Sequence, residues 1–246
     1  MNRVREPTAA IILVGNELLS GRVEDVNARF LLPELHALGI GVKRVVILPD
    51  EVDDIAKTVR ECAEQFDYVF TAGGIGPTPD DLTIAGVARA FDRRVVHHEE
   101  LLLLVAAHFG EPLAPEHLRF AEVPEGAGLI HSEHAPWPIL HYENVYIFPG
   151  VPHILRRKFE AIRDRFQAKP FITKTIYTRQ DEIDLAPMLY RVMADFPTVT
   201  IGSYPQWSQE DYRVKLVLES KDREALHRAY AALRSALDPS LIVDRD

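Results

Sequence analysis

The segment Thr71-Ala72-Gly73-Gly74-Ile75-Gly76-Pro77-Thr78-Pro79-Asp80-Asp81-Leu82-Thr83 gathers residue types that handle phosphate. Three glycines let backbone N–H groups turn toward an anion without Cβ obstruction, and a following helix N-terminus adds partial positive charge. Asp80 and Asp81 would repel a bare phosphate. They fit a site in which a divalent cation bridges carboxylate and phosphate oxygens, with Thr78 or Thr83 adding a hydroxyl. As plain structure, Asp80 caps the helix and Asp81 answers its dipole, each worth about 0.5–1 kcal/mol. Capping accounts for the aspartates but not for three glycines and two prolines in one loop.

A second segment, Gly15-Asn16-Glu17-Leu18-Leu19-Ser20-Gly21-Arg22, is followed by Asp25 and Asn27. Glu17, Asp25 and Asn27 offer oxygen ligands or water-orienting groups, and Ser20 and Gly21 can meet phosphate. Helix capping by Asp25 and Asn27, and a solvated turn at Glu17, are the structural alternatives. The pairs His131/His134 and His97/His98 lack the i, i+4 helical spacing with a nearby Glu that a zinc hydrolase needs. Cys62 reads as a small core residue. Tyr204, Trp207 and Tyr212 suit either a ring platform or a hairpin core.

Both candidate loops need a frame. Short β-branched runs at 9–14, 42–48 and 68–72 alternate with helical patterns at 27–38, 52–65, 82–91 and 99–109. This alternation predicts a mostly parallel sheet covered on both faces, and in such sheets ligands bind beyond the carboxyl ends of the strands. Both loops follow such ends. Pro33 predicts a late start or a bend in its helix. The run from Leu101 to Ala107 predicts a helix buried all round or lying at an interface. From Phe109 to Trp137 the periodicity breaks up, as in a long ordered loop or β-ribbon. A strand at 144–148 and a helix at 153–166 follow. Lys169-Pro170 then reads as a boundary between residues 1–168 and 169–246. The β-α-β-β-α-β order beyond it predicts a small two-layer α+β domain of the split-βαβ or KH-like type.

Composition narrows the function classes. The 246 residues carry 28 Lys+Arg against 37 Asp+Glu, a formal charge of −9, with 47% hydrophobic and 26% charged residues. An acidic globular chain argues against gripping nucleic acid. The longest apolar run, Leu101–Ala107, falls well short of the ~20 residues of a spanning helix, so no membrane partner is expected. One cysteine cannot build a disulfide framework and fits a reducing, cytoplasmic setting.

Taken in order, Gly15-x-Glu17-x-x-Ser20-Gly21, Asp25-x-Asn27 and Gly73-Gly74-x-Gly76-Pro77-Thr78-x-Asp80-Asp81-x-Thr83 resemble the molybdopterin-binding (MoaB/Mog-like) domain, and more closely its CinA branch. Ala121-x-x-Pro124-x-Gly126-Ala127 and Phe148-Pro149-Gly150-Val151-Pro152 match that branch too. Ile201-Gly202-Ser203-Tyr204-Pro205 and Val214-Lys215-Leu216 resemble the region that follows this domain in CinA-like proteins and eukaryotic FAD synthases. No residues match the amidohydrolase domain of full-length CinA.

The resemblance implies a three-layer, Rossmann-like α/β domain. It also implies either metal-dependent cleavage of a nucleotide pyrophosphate of the ADP-ribose or FAD class, or the binding or adenylylation of molybdopterin. On the first reading Asp80, Asp81 and Asp25 are catalytic. With Glu17 they hold Mg²⁺, Mn²⁺ or Co²⁺. Gly15, Ser20, Gly21, Asn27, Gly73, Gly74, Gly76, Thr78, Thr83 and Gly150 meet the phosphate or nucleotide. A non-catalytic nucleotide-binding module is the third possibility. The relatives' habit of oligomerising adds the expectation of a homodimer.

Overall fold

The computed structural model describes residues 6–207 and 211–244, and the chain divides into two compact units between Ala168 and Lys169. The first unit runs β1 (Thr8–Val14), α1 (Asn16–Leu19), α2 (Asn27–Ala37), β2 (Gly41–Leu48), α3 (Val52–Gln65), β3 (Tyr68–Ala72), α4 (Thr83–Ala90) and β4 (Val95–His97). It continues with α5 (Glu99–Phe109), α6 (Pro115–Leu118), β5 (Glu122–Pro124), β6 (Gly128–Ser132), β7 (Ala135–Tyr142), β8 (Val145–Phe148) and α7 (Pro152–Ile162). Six strands form one sheet in the order β2-β1-β3-β8-β7-β6. The first four are mutually parallel, β7 pairs antiparallel with β8, and β6 pairs antiparallel with β7. A separate antiparallel ribbon joins β4 to β5.

The central strands are apolar on both sides because both faces of the sheet are covered. Ala9, Ile11 and Leu13 of β1 pack with Leu31 and Leu35 of α2 and with Leu155 and Phe159 of α7. Their alternates Ala10, Ile12 and Val14 pack with Ile55 and Val59 of α3 and Val87 of α4. The result is a three-layer α/β architecture with a mostly parallel sheet. β1 and β3 therefore end side by side, and β8 ends next to β3.

Two local expectations narrow. Helix α2 runs through Pro33 without a late start. Pro33 faces solvent, while Leu31 and Leu35 are fully buried on either side of it. Their packing offsets a cost of about 3 kcal/mol for an interior proline. Helix α5 buries only Leu101 and Val105, and Leu103 is 72% exposed, so its apolar run is not covered all round within this chain. The stretch 109–137 takes the β-ribbon alternative, with β5 antiparallel to β4 and β6 antiparallel to β7, preceded by α6 and a 3₁₀ turn at Arg119–Ala121.

The second unit runs β9 (Ile172–Thr178), α8 (Glu182–Asp195), β10 (Thr200–Pro205), β11 (Val214–Ser220), α9 (Arg223–Ala236) and β12 (Ile242–Val243). Its sheet, ordered β10-β11-β9-β12, is antiparallel throughout. Strand β11 fills the gap between β9 and β10, which is the split-βαβ arrangement. Leu185, Val192, Leu226 and Leu233 of the two helices pack on Leu216 and Leu218. Helix α9 begins where Asp222 accepts hydrogen bonds from the N–H groups of Glu224 and Ala225, a cap worth about 1 kcal/mol. Among the described residues no helix is long and apolar enough to cross a membrane.

Candidate functional site

The two candidate loops and the turn after β8 meet at one end of the sheet. The Gly73 N–H donates to Phe148 O (3.2 Å) at the end of β8. Gly73 has φ +104°, and a Cβ placed there would sit 2.2 Å from Val14 O at the end of β1. Only glycine permits that approach. Gly150 presses on the same point, since its own Cβ would lie 3.3 Å from Gly73 Cα. Asn27 ties in the start of α2, with its side-chain amide donating to Gly150 O (2.8 Å).

The loop after β3 is braced from beneath and open above. Thr83 is fully buried, its hydroxyl donates to Gly73 O (2.8 Å), and its N–H donates to Gly74 O (2.9 Å). Thr83 thus braces the loop from inside, and the expected contact of its hydroxyl with a ligand is not available. Asp81 accepts from the Thr78 N–H (2.8 Å) and from the Thr78 hydroxyl. Arg119 donates to Thr78 O and to Asp81 O (2.8 Å), clamping the loop from outside. No described residue accepts from the N–H groups of Gly74, Ile75 or Gly76. Three consecutive free amides in a glycine-rich turn at a strand end are the groups from which anion-binding concavities are built. The exposed Asp80 carboxyl is held below its ordinary value, first by the Thr78 side chain, then by its own backbone N–H and, last, by Arg119.

The loop after β1 is arranged differently. Asp25 Oδ1 accepts from the N–H groups of Asn27 (2.9 Å) and Ala28 (3.1 Å), so this carboxylate caps the first turn of α2. Glu17 folds over Gly15, its carboxylate oxygens 2.4 and 2.6 Å from where a Gly15 Cβ would lie. The Ser20 hydroxyl donates to Glu17 O (3.2 Å). Gly21 turns at φ +69° in open space. Among the described residues no group of three or more His, Cys, Asp or Glu side chains is placed to hold a metal ion. The expected cage of Asp80, Asp81, Asp25 and Glu17 is therefore not assembled, because Asp25 and Asp81 are turned onto the backbone. His131 instead lies 3.4 Å from Glu100. Cys62 is fully buried, and burial pushes its thiol up despite the nearby Arg44.

A cavity of about 500 Å³ opens beside the braced loop, with Ile75, Gly76, Asp81 and Arg119 on one wall. Leu101, Phe109, Phe120, Leu129, Trp137 and Leu140 are among its apolar lining, and Glu122, Arg157 and Lys158 add charge to it. The size and apolar lining suit a ring system with a few polar anchors. Sequence reasoning missed Arg119, Trp137 and Lys158. They lie outside the motif positions of the chain, and only the fold brings them to the glycine loop.

Comparison with known proteins adds names. Residues 10–168 match the family described as "Probable molybdopterin binding domain", and residues 170–246 match "FAD synthase, middle domain". A "Probable FAD synthase" of Caenorhabditis elegans is 30% identical over 94% of this chain and 50% of its own length. The chain thus spans about half the length of the Caenorhabditis relatives it matches. A protein of Archaeoglobus fulgidus is 32% identical over 93% of this chain and 97% of its own length. Among solved structures, the protein CinA "with unknown function" from Thermoplasma acidophilum superposes with a TM-score of 0.60 at 31% identity, covering 65% of this chain and 99% of that one.

Proposed function

The chain belongs to the molybdopterin-binding-domain family in its CinA-like form, and from that premise we propose that its first unit binds a phosphorylated heteroaromatic compound. The phosphate would rest on the free amides of Gly74, Ile75 and Gly76, and the ring would enter the cavity beside Trp137. One observation carries this reading. A braced anion loop at the carboxyl end of a parallel strand opens directly into an apolar cavity whose first wall is that loop.

Within this class we favour a nucleotide pyrophosphate of the ADP-ribose or FAD type, with cleavage of its phosphoanhydride. The match of residues 170–246 to an FAD synthase middle domain supports the choice. The loop amides would stabilise charge developing on a phosphate oxygen, which is worth most where water is excluded. The protein's described residues form no resident metal cage. A divalent cation, if used, would enter with the diphosphate, since such ions commonly take phosphate oxygens and only one or two carboxylates. Asp80 is the exposed carboxylate nearest that role in type and charge.

The test is direct. The full chain would be incubated with ADP-ribose and with FAD, with and without Mg²⁺, Mn²⁺ or Co²⁺, and the products separated by chromatography. AMP with ribose 5-phosphate, or AMP with FMN, is the expected outcome. Binding without turnover would reduce the protein to a binding module. Binding of molybdopterin alone would move it to the other branch of the family.

A further inference from the structure

Lys158 is the cavity's least expected side chain, and the irregularity of β7 explains it. Ile130 of β6 faces Ile139 of β7, and Ser132 faces Ala135, so His131 alone stands against residues 136–138. Pro136 and Pro138 lie within this bulge, and their missing N–H groups prevent regular pairing. The bulge frees the carbonyls of Trp137 and Pro138. Lys158 Nζ donates to both, at 2.9 and 2.6 Å. Both of these partners are neutral carbonyls, with no carboxylate among them. Burial, with the neighbouring Arg157 adding to it, pulls its pKa down to about 8. An ammonium group has three protons to donate. Two are engaged by β7, and one remains on a side chain that lines the cavity.

Arg157, the other cation on this wall, is exposed, so at the half-buried Lys158 a ligand meets one spare proton. A phosphate dianion needs several donors and solvent, whereas a single acceptor atom on a flat ring needs one. Trp137 and Leu140, beside Lys158, provide the apolar surface such a ring requires. Resting on the reading that a phosphorylated ring occupies this cavity, we propose that Lys158 is a specificity-determining residue that selects rings bearing a carbonyl oxygen on their inner edge, as oxo-purines, flavins and pterins do. A ring presenting an exocyclic amine at that edge would face the ammonium donor to donor and be disfavoured, so of the two pyrophosphates proposed above the flavin of FAD fits this wall and the adenine of ADP-ribose does not.

IMP and AMP are matched probes, because they share ribose and phosphate and differ at one ring edge. Titration calorimetry on the full chain should give IMP and FMN about tenfold or more tighter binding than AMP, the scale on which hydrogen-bonding sites reject mismatched analogues. Lys158→Met should reduce the IMP/AMP ratio to near one. Lys158→Gln is one atom shorter and uncharged, yet can still donate to one β7 carbonyl. It should fold where Met does not and lose the preference likewise. An unchanged ratio in folded variants overturns the role of Lys158 and leaves the proposed function standing. Failure of the unaltered chain to bind any of the three nucleotides overturns the selectivity, and if ADP-ribose and FAD are neither bound nor cleaved the proposed function falls with it.

Discussion

The loops after β1 and β3 start from the same inventory of glycine, carboxylate and hydroxyl at adjacent strand ends, yet they end differently. In the first, Asp25 caps α2, Glu17 covers Gly15, and Ser20 turns back onto Glu17 O. In the second, Thr83 and Arg119 hold loop carbonyls and the Asp81 carboxylate holds Thr78, while the amides of Gly74, Ile75 and Gly76 stay free. The difference teaches that residue type nominates a site, whereas the distribution of satisfied and spare polar groups decides it. A loop that satisfies its own side chains with its own backbone is finished structure. A loop braced through its carbonyls, with N–H groups left over, is prepared for an anion.

The comparison breaks most severely at Gly73. Gly73→Ala places a methyl 2.2 Å from Val14 O at φ +104°, a conformation and contact that L-residues avoid. We expect a loss of at least about 3 kcal/mol of stability, read by urea unfolding, together with loss of nucleotide binding. A variant of native stability would show that β1 and β3 do not pin this loop. The external clamp comes next. Arg119→Met removes two charge-assisted hydrogen bonds to Thr78 O and Asp81 O. It should cost about 1.5–3 kcal/mol and weaken phosphate-ligand binding about tenfold or more. Unchanged affinity would make the clamp dispensable.

Much of this arrangement is legible in the residues, and the illegible part has a physical cause. Tyr68–Ala72, Val52–Gln65 and Glu99–Phe109 emerge with the bounds their patterns announce, because apolar periodicity and burial agree there. Strand β7 does not announce itself, since Pro136 and Pro138 signal a loop while the flanking Ile139 and Tyr142 are buried in the sheet. In α5, four consecutive leucines suggest burial all round, yet a single helix can present only part of its circumference to one neighbour, and Leu103 points outward. The glycine loop stands out because few structural needs demand three glycines, two prolines and two aspartates together. Whether Asp25 or Thr83 keeps a free oxygen depends on hydrogen bonds to backbone groups two to ten residues away, which type and spacing leave undetermined. Arg119 and Lys158 reach the cavity through tertiary folding alone.

Asp25 sharpens the comparison at smaller magnitude. Asp25→Ala should cost about 1 kcal/mol through loss of the α2 cap, visible as a Tm lowered by about 2–4 °C. Its effect on turnover should not exceed what that destabilisation explains. Asp80→Asn should do the reverse, leaving Tm unchanged while reducing any divalent-cation dependence of binding, because Asp80 is exposed. If Asp25→Ala abolished activity in a fully folded protein, the loop after β1 would hold a catalytic carboxylate after all.

The smallest effect tests the same distinction between engaged and spare groups at the cavity wall. Burial brings the pKa of Lys158 from the ordinary 10.5 down to about 8. A base depressed by folding binds its proton more weakly in the native state than in the unfolded chain. Between pH 8 and 10.5 the unfolded state therefore holds more protons, and the contribution of Lys158 to stability rises with pH. Buried Cys62 and half-buried Tyr146, whose pKa values burial raises, act in the opposite direction over the same range. The wild-type curve alone would mix these effects, so the quantity to measure is the difference between wild type and Lys158→Gln. That difference should grow in favour of the wild type by up to about 1 kcal/mol from about pH 8 to 9, because one extra proton on the unfolded chain changes stability by about 1.4 kcal/mol for each tenfold change in proton concentration. Urea unfolding at the two pH values reads it. A difference that stays flat would mean that water reaches the ammonium, and the wall at β7 would then be an ordinary solvated surface.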